Sequence, residues 1–148
     1  MRNKFFASVL LALPLLAALS AVSAQGPDPV LGKWRTIDDE TGKPMSITEV
    51  YRTKSGAIAA KVVEMLDPAR QNCDKCDGAD KGKPIAGMLV FWDMKQDDGV
   101  WGGGQGFKPS AGEHFKVKSV KAVEGGKKLE ITGCKFVFCR TAHWERVE

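Results

Sequence analysis

Histidine and tyrosine are scarce in this chain: 148 residues hold only His114, His143 and one tyrosine, Tyr51. Both histidines fall near strand ends, where each reads as a surface or hydrogen-bonded side chain. No Ser/His/Asp or Cys/His set has a recognisable local context, so no catalytic residue is expected. Dense runs of lysine and arginine are also absent, which argues against a nucleic-acid partner. Lys116, Lys118 and Lys121 read as the solvated face of a strand, and Lys81 and Lys83 as solubilising residues around Pro84. No Gly-Lys-Ser/Thr sequence follows the glycines at 102–106, which excludes a phosphate loop. The acidic run Asp38-Asp39-Glu40 lacks the alternating oxygen ligands of a calcium loop and reads as a solvated turn. Helical periodicity is hard to find anywhere after the first two dozen residues.

Those first residues have their own pattern. Arg2 and Lys4 precede an apolar run at 5–19, broken only by Ser8 and Pro14, and Val22-Ser23-Ala24 supplies small residues at a cleavage site. This is the layout of a secretory signal peptide over residues 1–24. It predicts a periplasmic or secreted protein made of one domain, residues 25–148. The run is short for a spanning helix, which needs about 20 residues, and no later run is long enough to cross a bilayer. Removing the leader lowers the formal net charge of +4, which further weakens any case for nucleic acid.

Beyond residue 25, short β-prone runs alternate with turn signals, the pattern of an all-β domain. The strands are expected at 32–37, 46–53, 57–66, 88–94, 100–107, 113–123, 128–133 and 141–147. The alternation of Phe115 and Val117 with lysines slips at Ser119-Val120, which predicts a bulge. Residues 67–87 form a connection long enough to mark a functional loop. About eight antiparallel strands joined by short turns can close into an up-and-down barrel, which leaves no exposed edges. A β-sandwich is the alternative that the period-2 pattern leaves open. Between Val100 and Phe107, glycines at 102, 104 and 106 would leave one strand face bare. That bare face has room for a neighbouring aromatic ring or a ligand, or marks a loop or barrel corner.

The cysteines are Cys73, Cys76, Cys134 and Cys139. In an exported domain they are expected to pair, and of three possible connectivities the local one is favoured, Cys73–Cys76 with Cys134–Cys139. The second pair would hold the apolar tip Phe136-Val137-Phe138, although a hairpin loop there has no glycine. Cys73-x-x-Cys76 has three readings. The favoured one is a structural clip. A redox pair fits less well, since Asp74 and Asp77 would raise a thiol pKa in a chain with no βαβ unit. A zinc site joining all four cysteines would compete with oxidation, so no cofactor is expected.

Three blocks of sequence carry a resemblance. Gly32-Lys33-Trp34-x-Thr36-x-Asp38-Asp39-x-Thr41-Gly42-Lys43 opens the domain. Cys73-x-x-Cys76-x-Gly78-x-x-Lys81-x-Lys83-Pro84-Ile85-x-Gly87-Met88 sits in its middle. Cys139-Arg140-Thr141-x-x-Trp144-x-Arg146 closes it. Together they resemble the exported bacterial family called domain of unknown function 2147, over nearly all of residues 25–148. The chain departs from the family pattern at Gln105-Gly106-Phe107-Lys108-Pro109, where a larger apolar residue and an acidic one are expected before the proline. The resemblance implies a lipocalin-like barrel. In such a barrel Trp34 would plug the closed end and Arg146 would lie over its ring as a cation–π partner, with Arg140 the second choice.

The sequence therefore predicts a non-enzymatic carrier or sensor of a small apolar or amphipathic ligand. Trp34, Tyr51, Trp92, Trp101, Phe107 and Trp144 are the candidate lining residues, chosen by strand parity. One alternative is a protein-interaction module with a filled core, docking through the loops at Cys73–Cys76 and Phe136–Phe138. Another is a thiol–disulfide enzyme using Cys73 and Cys76.

Overall fold

The computed structural model describes residues 26–148. The signal-peptide reading concerns residues 1–24, outside the described residues. Nine strands follow in chain order. They are β1 (Gly32–Ile37), β2 (Pro44–Arg52), β3 (Ile58–Met65), β4 (Leu89–Asp97), β5 (Val100–Gly102), β6 (Gly104–Lys108), β7 (Glu113–Val123), β8 (Lys128–Lys135) and β9 (Phe138–Arg146). Among the described residues, the helical content is limited to 3-10 turns at Gly78–Asp80 and Glu124–Gly126. No helix among the described residues is long and apolar enough to cross a membrane.

Every strand pairs antiparallel with its neighbours. β3 joins β4, and β9 returns to β1 through Trp34 opposite Arg146 and Arg35 opposite Glu145. The ring is thus closed, and the fold is a barrel and not a sandwich. β5 and β6 act as one stave interrupted at Gly103, whose φ of +74° suits a residue without a Cβ, so the barrel has eight staves.

Side-chain alternation decides which face is buried. In β1 Trp34 and Thr36 point into the core, and in β2 Ser46, Thr48 and Val50 do so. The expected slip in β7 is present as a register shift between Val117 and Ser119, which keeps both Val117 and Val120 buried. The main core includes Trp34, Ile58, Phe91, Trp101, Val120 and Leu129. A smaller cluster packs Cys73, Cys76 and Ile85 of residues 67–87 against Val62 of β3, with Phe107 against it.

The last hairpin is longer than its sequence indicates. Pairing runs on through Cys134 opposite Cys139 to Lys135 opposite Phe138, where the sequence pattern stops one strand at 133 and starts the next at 141. The disulfide ties directly opposed residues, so the ladder continues past the weak alternation. The turn then closes without glycine by placing Phe136 at φ +55°.

Candidate functional site

One end of the barrel is sealed. Trp34 is fully buried and its indole N–H donates to Val30 O at 2.9 Å. The Arg146 guanidinium lies 4.0 Å from the centre of the Trp34 ring. Its N–H groups also donate to the carbonyl oxygens of Gly126, Leu31 and Pro29. One planar cation thereby joins the last strand, the 3-10 turn and the segment that enters β1. A second tryptophan shares this end. Trp101 donates from Nε1 to Asp28 Oδ2 at 2.9 Å, and the Arg52 guanidinium lies 5.0 Å from its ring.

The other end opens into a cavity of about 910 Å³. Its inner wall is formed by Trp144, Ile131, Phe115, Val62, Val90 and Ala142. Three hydroxyls interrupt this apolar wall. Thr36, Ser46 and Thr48 are buried, with Thr36 Oγ1 2.7 Å from Ser46 Oγ and Ser46 Oγ 3.4 Å from Thr48 Oγ1. They satisfy one another, and hydroxyl rotors can also turn toward a bound polar group. The rim carries charge. Arg140 and Glu113 border the cavity, as do Lys108, Lys135 and Asp39. Lys108 pairs with Asp39 at 3.5 Å and Lys135 with Glu113 at 3.0 Å.

The long connection at 67–87 packs beside this mouth, and local bonds hold it. Cys73 and Cys76 form one disulfide. Backbone bonds from Cys73 N to Lys83 O (2.8 Å) and from Ile85 N to Gln71 O (2.9 Å) fold the segment back on itself. Arg70 reaches the β1–β2 turn and pairs with Asp38. That guanidinium, with the backbone N–H and hydroxyl of Thr41, holds the Asp38 carboxyl well below the usual carboxylate range. At Gly112 a Cβ would come within 2.0 Å of Lys75 O, so the β6–β7 turn and the clipped loop touch backbone to backbone.

The aromatic candidates separate into three places. Phe107 and Trp144 line the cavity. Trp34 and Trp101 lie at the sealed end below it. Tyr51, of opposite parity to buried Val50, carries Lys61 Nζ 5.3 Å from its ring, and Trp92 packs edge-on to His114 at 6.5 Å. Neither is part of the cavity wall. Arg140, the second choice for the Trp34 stack, stands at the opposite end of the barrel on the rim. Sequence reasoning missed the hydroxyls of Thr36, Ser46 and Thr48. The available signal was their parity, since they alternate in step with Trp34 and Val50.

The bare glycine face is filled by protein. A Cβ on Gly106 would lie 2.3 Å from the Phe115 ring, and one on Gly133 would lie 2.7 Å from it. Phe115 thus occupies the space left by glycines on both neighbouring strands. His143 lies 3.2 Å from Glu130 on the outer surface.

The four cysteines are consumed in two disulfides, Cys73–Cys76 and Cys134–Cys139, which argues against a four-thiolate zinc site. No cluster able to hold a metal occurs among the described residues. Cys73 and Cys76 are 0% and 2% exposed. The accessible thiol that a redox reading requires is not presented. Disulfides belong to oxidising compartments, which agrees with a protein outside the cytoplasm.

A model of the family described as uncharacterized protein conserved in bacteria (DUF2147) matches residues 32–146. No curated protein sequence matches the chain. Among solved structures, protein HP1028 from Helicobacter pylori, described as belonging to the lipocalin family, is similar with a TM-score of 0.66 and 19% identity. The match covers 80% of this chain and 83% of that one. At that identity the likeness establishes a lipocalin-like fold.

Proposed function

Given that the chain belongs to the family of uncharacterized proteins conserved in bacteria, DUF2147, we propose that it is a non-enzymatic carrier or sensor, working in the periplasm or outside the cell. It takes a small apolar or amphipathic molecule into the open end of its barrel. The observation that carries this reading is the cavity of about 910 Å³ above a sealed floor, within the range of ligand pockets, roughly 300–1,000 Å³. Its wall would hold an apolar body, the buried hydroxyls would take a polar substituent, and Arg140 would meet an acidic or hydroxylated end at the rim. The lipocalin-like fold supports the same reading. An interaction module with a filled core fits less well, because the cavity is not filled.

The test is native mass spectrometry of the protein purified from its own cell envelope, followed by titration with a dansyl-labelled fatty amide. Of the four tryptophans, Trp144 alone borders the cavity. Bound probe is expected to quench the emission of Trp144 and of the other barrel tryptophans by energy transfer, and to brighten as it leaves water. Ala142→Trp, which fills the cavity from β9, is expected to abolish binding. Equal binding by a folded Ala142→Trp variant would sink the proposal.

A further inference from the structure

The β8–β9 hairpin ends in the most exposed apolar group among the described residues. Phe136, Val137 and Phe138 are 91%, 86% and 76% exposed. Phe136 and Val137 form a two-residue turn between the paired Lys135 and Phe138. Only Phe136 of the two has positive φ, at +55°. That is the pattern of a type II′ turn, whose first position favours glycine. An aromatic side chain is therefore kept in left-handed backbone while its ring stands in water, two unfavourable choices at one position. The Cys134–Cys139 disulfide ties the strands two positions below the tip, which fixes the backbone that carries the ring.

Cations surround this tip. Lys135 adjoins it, Lys116 lies opposite Cys134 on β7, and Arg140 follows Cys139. Lys135 is paired with Glu113. Lys116 and Arg140 are exposed and have no ion-pair partner among the described residues.

We propose that this hairpin tip is a membrane-docking element, which inserts its apolar side chains into the interface of an anionic bilayer while Lys116 and Arg140 meet the headgroups. The size and shape of the patch favour lipid over protein. A stable protein interface buries about 800 Å² per partner, and an aromatic side chain supplies only about 150–250 Å². Three side chains on a convex point fall short of that area, whereas a bilayer interface deforms around them. Exposed aromatic residues ringed by basic ones are what interfacial anchoring uses. Phe136 and Phe138 also border the cavity mouth, so docking would present that mouth to the bilayer. The inference goes beyond the carrier reading and does not rest on it, since docking needs no loaded cavity.

The experiment is cosedimentation with vesicles of phosphatidylcholine alone and of phosphatidylcholine mixed with phosphatidylglycerol. It uses the chain from residue 25, because the barrel closes within the described residues and the apolar run at 5–19 would bind lipid by itself. The wild type is expected to sediment with the anionic vesicles and less with the neutral ones, and to be released by salt. Phe136→Gly fits the backbone and keeps the fold, which a thermal melt checks, yet is expected to weaken partition about tenfold. Lys116→Gln with Arg140→Gln is expected to weaken binding to the anionic vesicles alone. Failure of the wild type to sediment with either vesicle overturns the proposal, as does undiminished binding by folded Phe136→Gly. A concentration-dependent dimer that Phe136→Gly abolishes would instead assign the tip to a second copy of the chain.

Discussion

Arg146 lies 4.0 Å over the ring of Trp34 and directly opposite it in the β1–β9 ladder. The same guanidinium donates to Gly126 O at 2.6 Å and Leu31 O at 3.2 Å. Lysine carries the charge but neither the planar stack nor the fork of donors. Arg146→Lys is therefore expected to cost about 2 kcal/mol, read as a lower urea midpoint, and Arg146→Ala somewhat more. Gly32 tests the same contact from below. It has φ +117°, and a Cβ there would sit 3.0 Å from Arg146 Nη1. Gly32→Ala is expected to destabilise by roughly 1–3 kcal/mol.

Much of this architecture is legible in the sequence because it depends on local alternation. β1 and β7 have the limits that the alternation and flanking turns indicate, and the slip at Ser119-Val120 marks the shifted register. The closed ring is legible only as one of two options, since period-2 patterning is the same in a barrel and a sandwich. The site is harder to read. Strand parity among the aromatic residues selects Trp144 and Phe107, which do border the cavity, but equally Tyr51 and Trp92, which do not. Parity assigns a face and says nothing about height along the barrel axis. Trp101 thus cannot be told from a lining residue until the strands are in register, and Trp34 is placed at the closed end only by the family resemblance. Thr36, Ser46 and Thr48 escape notice because hydroxyls are ordinary on an exposed strand face.

The two disulfides differ in access. Cys73 and Cys76 are 0% and 2% exposed, while Cys139 is exposed on the hairpin. Mild reductant followed by alkylation and peptide mapping is expected to label Cys134 and Cys139 first. Replacing either pair with serine is expected to cost about 2 kcal/mol, since each closes a short loop. Only the Cys73→Ser/Cys76→Ser variant should speed amide exchange at residues 71–85.

Asp38 gives the mouth a defined response to acid. Its carboxyl is held well below the ordinary value of 3.8, first by Arg70 and then by the N–H and hydroxyl of Thr41. Because the folded-state value is the lower one, the stabilisation is complete at neutral pH. It begins to fade as the pH drops past the ordinary value and is lost toward the folded one. Arg70→Gln is expected to be less stable than wild type at pH near 7 and by a clearly smaller margin at about pH 2, well below the ordinary value of 3.8. Chemical denaturation at both pH values checks this. A stability difference independent of pH would show that Arg70 acts through packing alone.

Phe115 and its glycine neighbours form a steric unit that also shapes the cavity. The ring occupies space that a Cβ on Gly106 would enter at 2.3 Å and one on Gly133 at 2.7 Å, and it forms part of the cavity wall. Gly106→Ala forces either the ring or the strand to move, an overpacking cost of roughly 1–3 kcal/mol. Phe115→Leu alone removes buried aromatic surface and is expected to cost a similar amount. Combined, the two should cost less than their sum, because the smaller side chain vacates the space that the new methyl group needs. The urea midpoints of the four proteins in this cycle give the coupling. A value near zero would mean that the barrel relaxes around the added methyl group without involving the ring, and that the glycines serve the backbone and not the cavity wall.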